Sequence, residues 1–321
     1  MEVKMRTLII PVYKNIENLP DLLEALAHLY RSLNNSLQIT FVVDASPDDC
    51  ESYLLTHLPS KHFSSLVIRH SRNCGSFAAI RTGLEQSTGD FFAVMSADLQ
   101  DPPELVKQIF ESLESGEADI VLGSRDSRMD PFVSKLFSNT YWAIYRKWLF
   151  PEIPRGGVDI FGCTQQVKSE LVRFRETKSS LIGQLMWVGY RRKFIGYQRA
   201  KRKHGVSAWT FKKKLDYFLD SIFAFSDLPI RFLLLAGFLG VLLSALITLI
   251  TVVCLLFGIT TYNPSMAILL AVSFFGSSNL LGLGIVGTYV QRAYENSKGR
   301  PLSIVANRVE ISPPNITNIS Q

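Results

Sequence analysis

The chain has 321 residues, 47% of them hydrophobic, and a formal net charge of +6 from 34 Lys and Arg against 28 Asp and Glu. That length carries a domain of about 200 residues and something more. The modest basic excess fits nucleic acid, anionic lipid or an anionic small substrate, and its distribution has to decide among them. Four cysteines, Cys50, Cys74, Cys163 and Cys254, are scattered without a CxxC pair. This argues against a zinc ribbon and a disulfide framework and fits a reducing compartment. The opening "MEVKMRTLIIPVY" has too short an apolar run for a signal peptide, so the first domain is expected to stay in the cytosol.

In chain order, "RTLIIPVY" (Arg6–Tyr13) predicts a short buried strand, and "NLPDLLEALAHLYRSL" predicts an amphipathic helix. "LQITFVVDAS" and "FSSLVIRHSRN" predict two more strands, and "SFAAIRTGLEQS" a helix. "GDFFAVMSAD" is a fourth strand, "PPELVKQIFESLESG" a helix and "ADIVLGSR" a fifth strand. The alternation predicts an α/β domain with a largely parallel sheet, whose ligands bind beyond the carboxyl ends of the strands. Polar clusters stand at four of those ends: Asp44-Ala45-Ser46, Ser71-Arg72-Asn73, Asp98-Leu99-Gln100-Asp101 and Gly123-Ser124-Arg125. Asp98 and Asp101 beside a glutamine carbonyl are hard oxygen donors suited to Mg²⁺ or Mn²⁺ on a diphosphate. Asp101 has a second reading as a helix N-cap, with Pro103 opening the helix. "YWAIYRKWLF" (Tyr141–Phe150) suits a membrane-interface helix or a core-facing one.

From Arg191 to Lys214 there are ten Lys and Arg and no acid. The same run leads into "FKKKLDYFLDSIFAFSDLPIRF", where Phe211, Leu215, Phe218, Leu219, Ile222 and Phe223 recur at helical spacing. That pattern predicts a helix lying in the headgroup plane. Between Arg231 and Arg292 no residue is charged. "TTYNPS" (Thr260–Ser265) divides this stretch into two spans, roughly Phe232–Ile259 and Ser265–Val290, since one span needs about 20 residues. The competing reading is a buried helical hairpin. Lys212, Lys213, Lys214 and Arg231 precede the spans, and Arg292, Lys298, Arg300 and Arg308 follow them, so both flanks are expected in the cytoplasm. Ser278 and Gly282, with Gly276, Gly284 and Gly287 nearby, suit close helix packing within or between subunits. The expected organisation is residues 1–210 as the α/β domain, 211–231 as the interface helix, 232–291 as the two spans and 292–321 as a polar cytoplasmic tail. Loss of the residues after Val305 is expected to matter little.

The segments "IPVYKNIENLP", "VVDASPDD", "SRNCGSFAAIRTGL", "SADLQDPPELV", "GSR" and "GTYVQRAYENSKGRPLSIV", in this order, resemble family 2 glycosyltransferases. The nearest subgroup is the polyisoprenyl-phosphate glycosyltransferases, which include dolichol-phosphate mannose synthase and bacterial undecaprenyl-phosphate glucosyltransferases of O-antigen modification. The resemblance implies a GT-A, Rossmann-like cytosolic domain with a two-helix transmembrane hairpin. It implies transfer from a nucleotide sugar to polyprenyl phosphate with inversion, at the inner membrane and with Mg²⁺ or Mn²⁺; UDP-glucose is the expected donor from the subgroup, with UDP-galactose, UDP-N-acetylhexosamines and GDP-mannose left open. By position it implies Pro11, Tyr13, Asp44, Ser46, Arg72 and Gly75 for the nucleotide sugar, and Asp98 with Gln100 for metal and diphosphate. Asp159 in "GGVDIFGC" matches the acidic residue at the reacting centre. Ser124, Arg125, Arg128, Lys135, Ser138, Arg202 and Ser207 match positions around the lipid phosphate. Membrane lipids and further copies of the chain, as in a tetramer, are the other expected partners; nucleic acid is not. The chain departs from relatives that carry "DDGS" at Val43–Ser46 and "DAD" at Ser96–Asp98, with one acid missing from each. A processive polysaccharide synthase is a competing reading, but "QLMW" does not supply that class's QxxRW motif. A catalytically degenerate membrane partner of a flippase is another.

Overall fold

The computed structural model describes residues 4–125, 142–176, 178–204, 211–257 and 264–313. Two compact units emerge, one of Met1–Glu176, Ser180–Lys214 and Arg300–Gln321, the other of Thr177–Ser179 and Leu215–Gly299.

The first unit is built on an eight-stranded sheet of order β7-β5-β6-β4-β1-β2-β3-β8. The five expected strands are present as β1 (Arg6–Val12), β2 (Gln38–Val43), β3 (Ser64–His70), β4 (Phe91–Val94) and β5 (Ile120–Arg125). To these are added β6 (Val158–Thr164), β7 (Arg192–Tyr197) and β8 (Val305–Ile311). β1 pairs in parallel with β2 on one side and β4 on the other, and β2 with β3. β6 lies antiparallel between β4 and β5, β7 parallel to β5, and β8 antiparallel to β3. The sheet is therefore mixed, with a parallel centre.

Its strands read as continuous apolar runs because both faces are covered. Leu8, Ile10 and Val12 share one core with Leu22 and Leu26 of α1 (Leu19–Ser32) and Ile109 and Phe110 of α4 (Pro103–Glu114). Ile9, between them, faces the other core with Ala79 and Leu84 of α3 (Ser76–Gln86). The α1 stripe Leu19, Leu22, Leu23, Leu26, Leu29 is the three-and-four spacing expected of a half-buried helix. Pro103 opens α4 and the extended Pro102 stands at its N-cap, so the two prolines stop one element and start the next. α2 (Cys50–His57), α5 (Gln165–Arg173) and α6 (Leu181–Trp187) complete the labelled helices of this unit. Helical residues 142–148 bury Trp142 and Tyr145 in the second core, which decides the Tyr141–Phe150 segment for a core-facing helix.

Because β1 sends its neighbours to opposite sides, a crevice opens at the carboxyl ends of β1, β2 and β4. The start of β6 reaches the same edge, since Val158 pairs with Ser124 at the end of β5. One rim thus collects residues distant in sequence.

In the second unit, α7 (Phe211–Phe225) leads to α8 (Leu228–Leu256) and α9 (Pro264–Ser297). Leu228–Cys254 and Ala271–Ser297 are long and apolar enough to cross a membrane, with mean hydropathies of 2.6 and 1.3. Only 6% and 0% of their most apolar stretches are buried, opposite to what a core hairpin requires. Most of the Thr260–Ser265 turn lies outside the described residues. Gly282 is used within the hairpin, where a Cβ would stand 3.0 Å from Leu233 Cδ1, whereas Gly276, Gly284 and Gly287 meet nothing within 4 Å. Arg292 near the end of α9 donates to Asp220 of α7 at 2.6 Å and lies 5.0 Å above the Phe223 ring. Leu215 and Leu219 of α7 remain exposed one turn apart.

The expectation of a dispensable polar tail is overturned. Val305–Ile311 is β8, paired along β3 from Ser65↔Ile311 to Arg69↔Asn307, and Ser71 N donates to Ile304 O at 2.9 Å. Its side chains are mostly exposed, so its contribution comes from ladder hydrogen bonds and from covering the β3 edge. Ending the chain after Pro301 is expected to cost about 2 kcal/mol from lost cross-strand pairs. For a unit of this size that is a Tm fall of roughly 4–8 °C, with increased aggregation. Thermal melts of the full and shortened proteins in detergent check this; an unchanged Tm would show that β8 does not seal the sheet.

Candidate active site

One side of the crevice is built around Asp44, which follows β2 and is 2% exposed. Its Oδ1 accepts from Cys74 N and from His70 Nδ1, both at 2.8 Å, and its Oδ2 accepts from Gly75 N at 2.7 Å. Burial alone pushes this carboxyl up, but the hydrogen bonds from His70, Cys74 and Gly75 outweigh it and hold it below the usual carboxylate range. Gly75, at φ 93°, makes the turn that aims two successive N–H groups at Asp44. Alongside, Lys14 N donates to Ser46 Oγ at 2.7 Å and Tyr13 N to Asn15 Oδ1 at 3.0 Å. Ser46 Oγ in turn donates to Asp48 Oδ1 at 2.5 Å. Lys14, Ala45 and Leu99 all sit in the left-handed region, φ 54°, 47° and 54°, immediately beyond β1 and β2 and in the loop after β4. Backbone strain is concentrated where the crevice loops turn.

On the other side, Asp98 is 7% exposed. Its Oδ2 accepts from Arg202 Nη2 at 2.7 Å and its Oδ1 from Gln100 N at 3.2 Å. Gln100 Oε1 faces the same Arg202 nitrogen at 3.4 Å. The segment carrying Arg202 is tied down by Ala200 N, which donates to Gln100 O at 2.9 Å, and by Gln100 Nε2, which donates to Ala200 O at 3.2 Å. Asp159, on β6, is ion-paired with Arg125 Nε and accepts from Tyr197 OH at 3.4 Å. The two glycines before it allow this approach: a Cβ on Gly156 would fall 1.7 Å from Arg125 O, and one on Gly157 2.1 Å from Trp142 Cε2.

Asp101 is not a helix cap. It accepts from Ser96 Oγ at 2.5 Å and from Tyr197 OH at 3.0 Å, while Pro102 holds the N-cap. Ser96 is thereby committed to Asp101. Burial and the charges of Asp101 and Asp159 push the Tyr197 phenol up, so it keeps its one proton, which points to Asp101 at 3.0 Å with Asp159 the longer contact at 3.4 Å. Asp48, His70 and Tyr197 are the residues that the motifs did not assign to this site. A histidine closing an apolar strand run, "LVIRH", was the one local signal for His70.

The geometry brings Asp98, Gln100 and Arg202 into one cluster and Arg125 and Asp159 into another, and Tyr197 joins Asp159 to Asp101 of the loop that carries Asp98. Asp44, Ser46, Tyr13 and Gly75 form the group on the other side, with Arg72 exposed at its edge and Ser124 buried in β5. Arg128, Lys135, Ser138 and Ser207 lie outside the described residues. Among the described residues, Asp44, His70 and Cys74 bring three metal-type ligand atoms within 4.8 Å of one another.

Residues 7–210 match the family model described as glycosyl transferase family 2. The Bacillus subtilis (strain 168) protein CsbB is 31% identical, over 94% of this chain and 91% of its own length. An undecaprenyl-phosphate 4-deoxy-4-formamido-L-arabinose transferase of Pectobacterium atrosepticum is 29% identical, covering 99% of this chain and 98% of that one. A bactoprenol glucosyl transferase of Shigella phage SfV is 28% identical, covering 94% and 98%. Among solved structures, a glucosyl-3-phosphoglycerate synthase of Mycobacterium tuberculosis is 15% identical with a TM-score of 0.44, over 63% of this chain and 73% of that one. With more than half its length matched and a relative above 30% identity over nearly all of it, the chain belongs to glycosyl transferase family 2.

Proposed function

We propose that this glycosyltransferase moves a sugar from a nucleotide-sugar donor, UDP-glucose in our reading, to the phosphate of undecaprenyl phosphate, with inversion. The lipid-linked product serves modification of a cell-envelope glycan such as O-antigen. Residues 1–210, with β8 of the carboxyl-terminal segment added to their sheet, form the catalytic domain on the cytoplasmic face of the inner membrane, 211–231 the interface helix and 232–291 a two-span hairpin, with both termini cytoplasmic. Relatives named as undecaprenyl-phosphate and bactoprenol transferases support the acceptor class. The small residues of α9 that meet nothing in the chain suit further copies in a homo-oligomer.

The observation that carries the reading is a pair of arginines, each bound to a carboxylate at the same rim: Arg202 on Asp98 and Arg125 on Asp159. An acceptor phosphate monoester has a second pKa of about 6 and is mostly a dianion at neutral pH. It needs positioning and charge screening more than a base, since it must approach an anionic diphosphate. Guanidinium forks supply both. Asp98 and Gln100 fit a hard divalent cation, because their oxygens already converge on one positive group, the Arg202 guanidinium, at 2.7 and 3.4 Å. When bound, Mg²⁺ or Mn²⁺ would neutralise charge on the leaving diphosphate. Asp159, held between Arg125 and Tyr197, is a fixed carboxylate that orients a sugar hydroxyl and faces the developing positive charge on the ring.

Membranes carrying the protein, given undecaprenyl phosphate and a panel of labelled nucleotide sugars, should form a labelled lipid product. No product from any sugar nucleotide would favour the degenerate-partner reading. Excess EDTA should abolish transfer, and full activity in EDTA would remove the metal from Asp98.

Arg202→Ala should raise the KM for lipid phosphate by roughly thirtyfold, about 2 kcal/mol for a partly desolvated charged contact, and change the donor KM far less. Arg202→Lys should recover only part of this. Equal effects on both substrates would move Arg202 out of the acceptor site.

Asp159→Asn should lower kcat by roughly 10²–10⁴-fold while leaving the acid limb of the kcat–pH profile in place, because that limb belongs to the phosphate. Loss of the limb in the Asn variant would make Asp159 the general base.

A further inference from the structure

β3 ends in a histidine that is 1% exposed and that the reaction outlined above does not use. His70 Nδ1 lies 2.8 Å from Asp44 Oδ1, and His70 Nε2 lies 2.9 Å from Thr82 Oγ1. Thr82, 2% exposed on α3, is in turn 2.6 Å from Ser303 Oγ. Ser303 belongs to the segment between α9 and β8, only six residues beyond the end of α9 at Ser297. Four side chains from β2's loop, β3, α3 and the returning carboxyl-terminal segment therefore form one continuous chain of hydrogen bonds ending on the donor-side carboxylate.

With the imidazole neutral, the chemistry gives the chain one direction. An ionised carboxylate only accepts, so His70 Nδ1 carries the proton and donates it to Asp44. In the neutral ring Nε2 is then a bare acceptor, and Thr82 Oγ–H fills it. Thr82 has Ala78 O at 3.0 Å as a rival acceptor, but giving the proton there leaves a buried ring nitrogen unsatisfied. Thr82 then accepts from Ser303 Oγ–H. At the far end, a carboxylate offers about four acceptor positions. Two on Oδ1 are taken by His70 and Cys74 N, and one on Oδ2 by Gly75 N, which leaves one on Oδ2. Its complement is a ligand N–H or O–H, the chemistry of a nucleobase edge or a ribose hydroxyl.

A metal among Asp44, His70 and Cys74 is the rival account. Three N–H donors already converge on the Asp44 oxygens at 2.7–2.8 Å, and Cys74 Sγ lies 3.4 Å from Arg72 O. That is the arrangement of a hydrogen-bond acceptor with three of its positions taken and one left.

We infer that His70 is a positioning residue of the nucleotide subsite, holding Asp44 in the one orientation that leaves a single acceptor for the donor nucleoside, and that Ser303 completes this subsite from the carboxyl-terminal return segment. The inference rests on the proposed role of Asp44 in nucleotide binding. It makes the residues after α9 part of donor recognition as well as of the sheet.

The test is calorimetric titration of the full-length protein in detergent with UDP and GDP, following the tighter of the two. An amide nitrogen on Asn matches Nδ1 of histidine, and one on Gln matches Nε2. His70→Gln, which keeps the reach to Thr82 but loses Asp44, should weaken Kd about tenfold, the scale of one buried hydrogen bond. His70→Asn, which keeps the Asp44 contact, should stay within about threefold of the parent. Ser303→Ala should weaken Kd by about threefold in the parent and not further in the His70→Asn background. The KM for lipid phosphate should not move in any of these. Wild-type Kd in both His70→Gln and Ser303→Ala, with Asp44→Asn still impaired, overturns the inference and leaves the nucleotide role of Asp44 standing. Wild-type Kd in Asp44→Asn, or no binding of either nucleotide by the parent, removes that role and the inference with it. Equal loss of donor and acceptor affinity makes His70 merely structural, and a stoichiometric zinc ion lost in His70→Asn makes the cluster a metal site; either overturns the proposal. Ser303→Ala decides the matter if His70→Gln fails to fold.

Discussion

A carboxylate taken out of water has to be compensated, and everything at the rim of this sheet follows from that constraint. Asp44, Asp98 and Asp101 are all nearly inaccessible, and Asp159 stands beside them. Each has a partner supplied from a different part of the chain. Asp44 is held by two amides and a histidine, Asp98 by Arg202, Asp101 by Ser96 and Tyr197, and Asp159 by Arg125 and Tyr197. A site built this way has its carboxylates compensated before any substrate arrives, Asp98 and Asp159 by arginines, Asp44 and Asp101 by hydrogen-bond donors. Anionic substrates and cations therefore enter by exchange, competing for partners already in place, which avoids stranding a bare charge in low dielectric at any stage.

The topology makes these pairings reachable. Parallel strands alone would present only loops that follow β1 to β5. Inserting β6 antiparallel between β4 and β5 brings the beginning of a strand, with Asp159, to the rim where the others end. β7, parallel to β5, adds Tyr197 at its own carboxyl end, and the chain immediately beyond it carries Arg202 back over the Asp98 loop. β8 closes the opposite edge of the sheet and sets Ser303 against Thr82.

Much of this was legible in the sequence, and the division has physical reasons. The first five strands announce themselves because both faces are buried, and their polar endings mark the rim. Asp98, Gln100 and Asp44 could be placed there from local pattern alone. β8 could not: "VANRVEI" is an exposed edge strand, held by ladder bonds to β3 more than 230 residues earlier, and it lacks the apolar run that reveals a buried strand. Asp101 resembled a cap because its neighbours are those of a helix start, while its actual partner, Tyr197, is 96 residues away. The pairing of Arg125 with Asp159 and of Arg202 with Asp98 spans 34 and 104 residues, and nothing short-range encodes it.

The choice of arginine opposite Asp98 and Asp159 follows from the same constraint. A lysine presents three N–H donors on one nitrogen, and a carboxylate that holds it occupies that nitrogen. A guanidinium carries five N–H donors over three nitrogens in a rigid plane. Arg125 faces Asp159 through Nε, so its other four N–H groups sit on the two terminal nitrogens; Arg202 faces Asp98 through Nη2. Each side chain is thus able to bridge a carboxylate and a phosphate oxygen at once, keeping the buried acid compensated while the acceptor is drawn in. The reaction brings a phosphate dianion up to a diphosphate in a wall of carboxylates, and cations that hold both sides together are what such a wall requires.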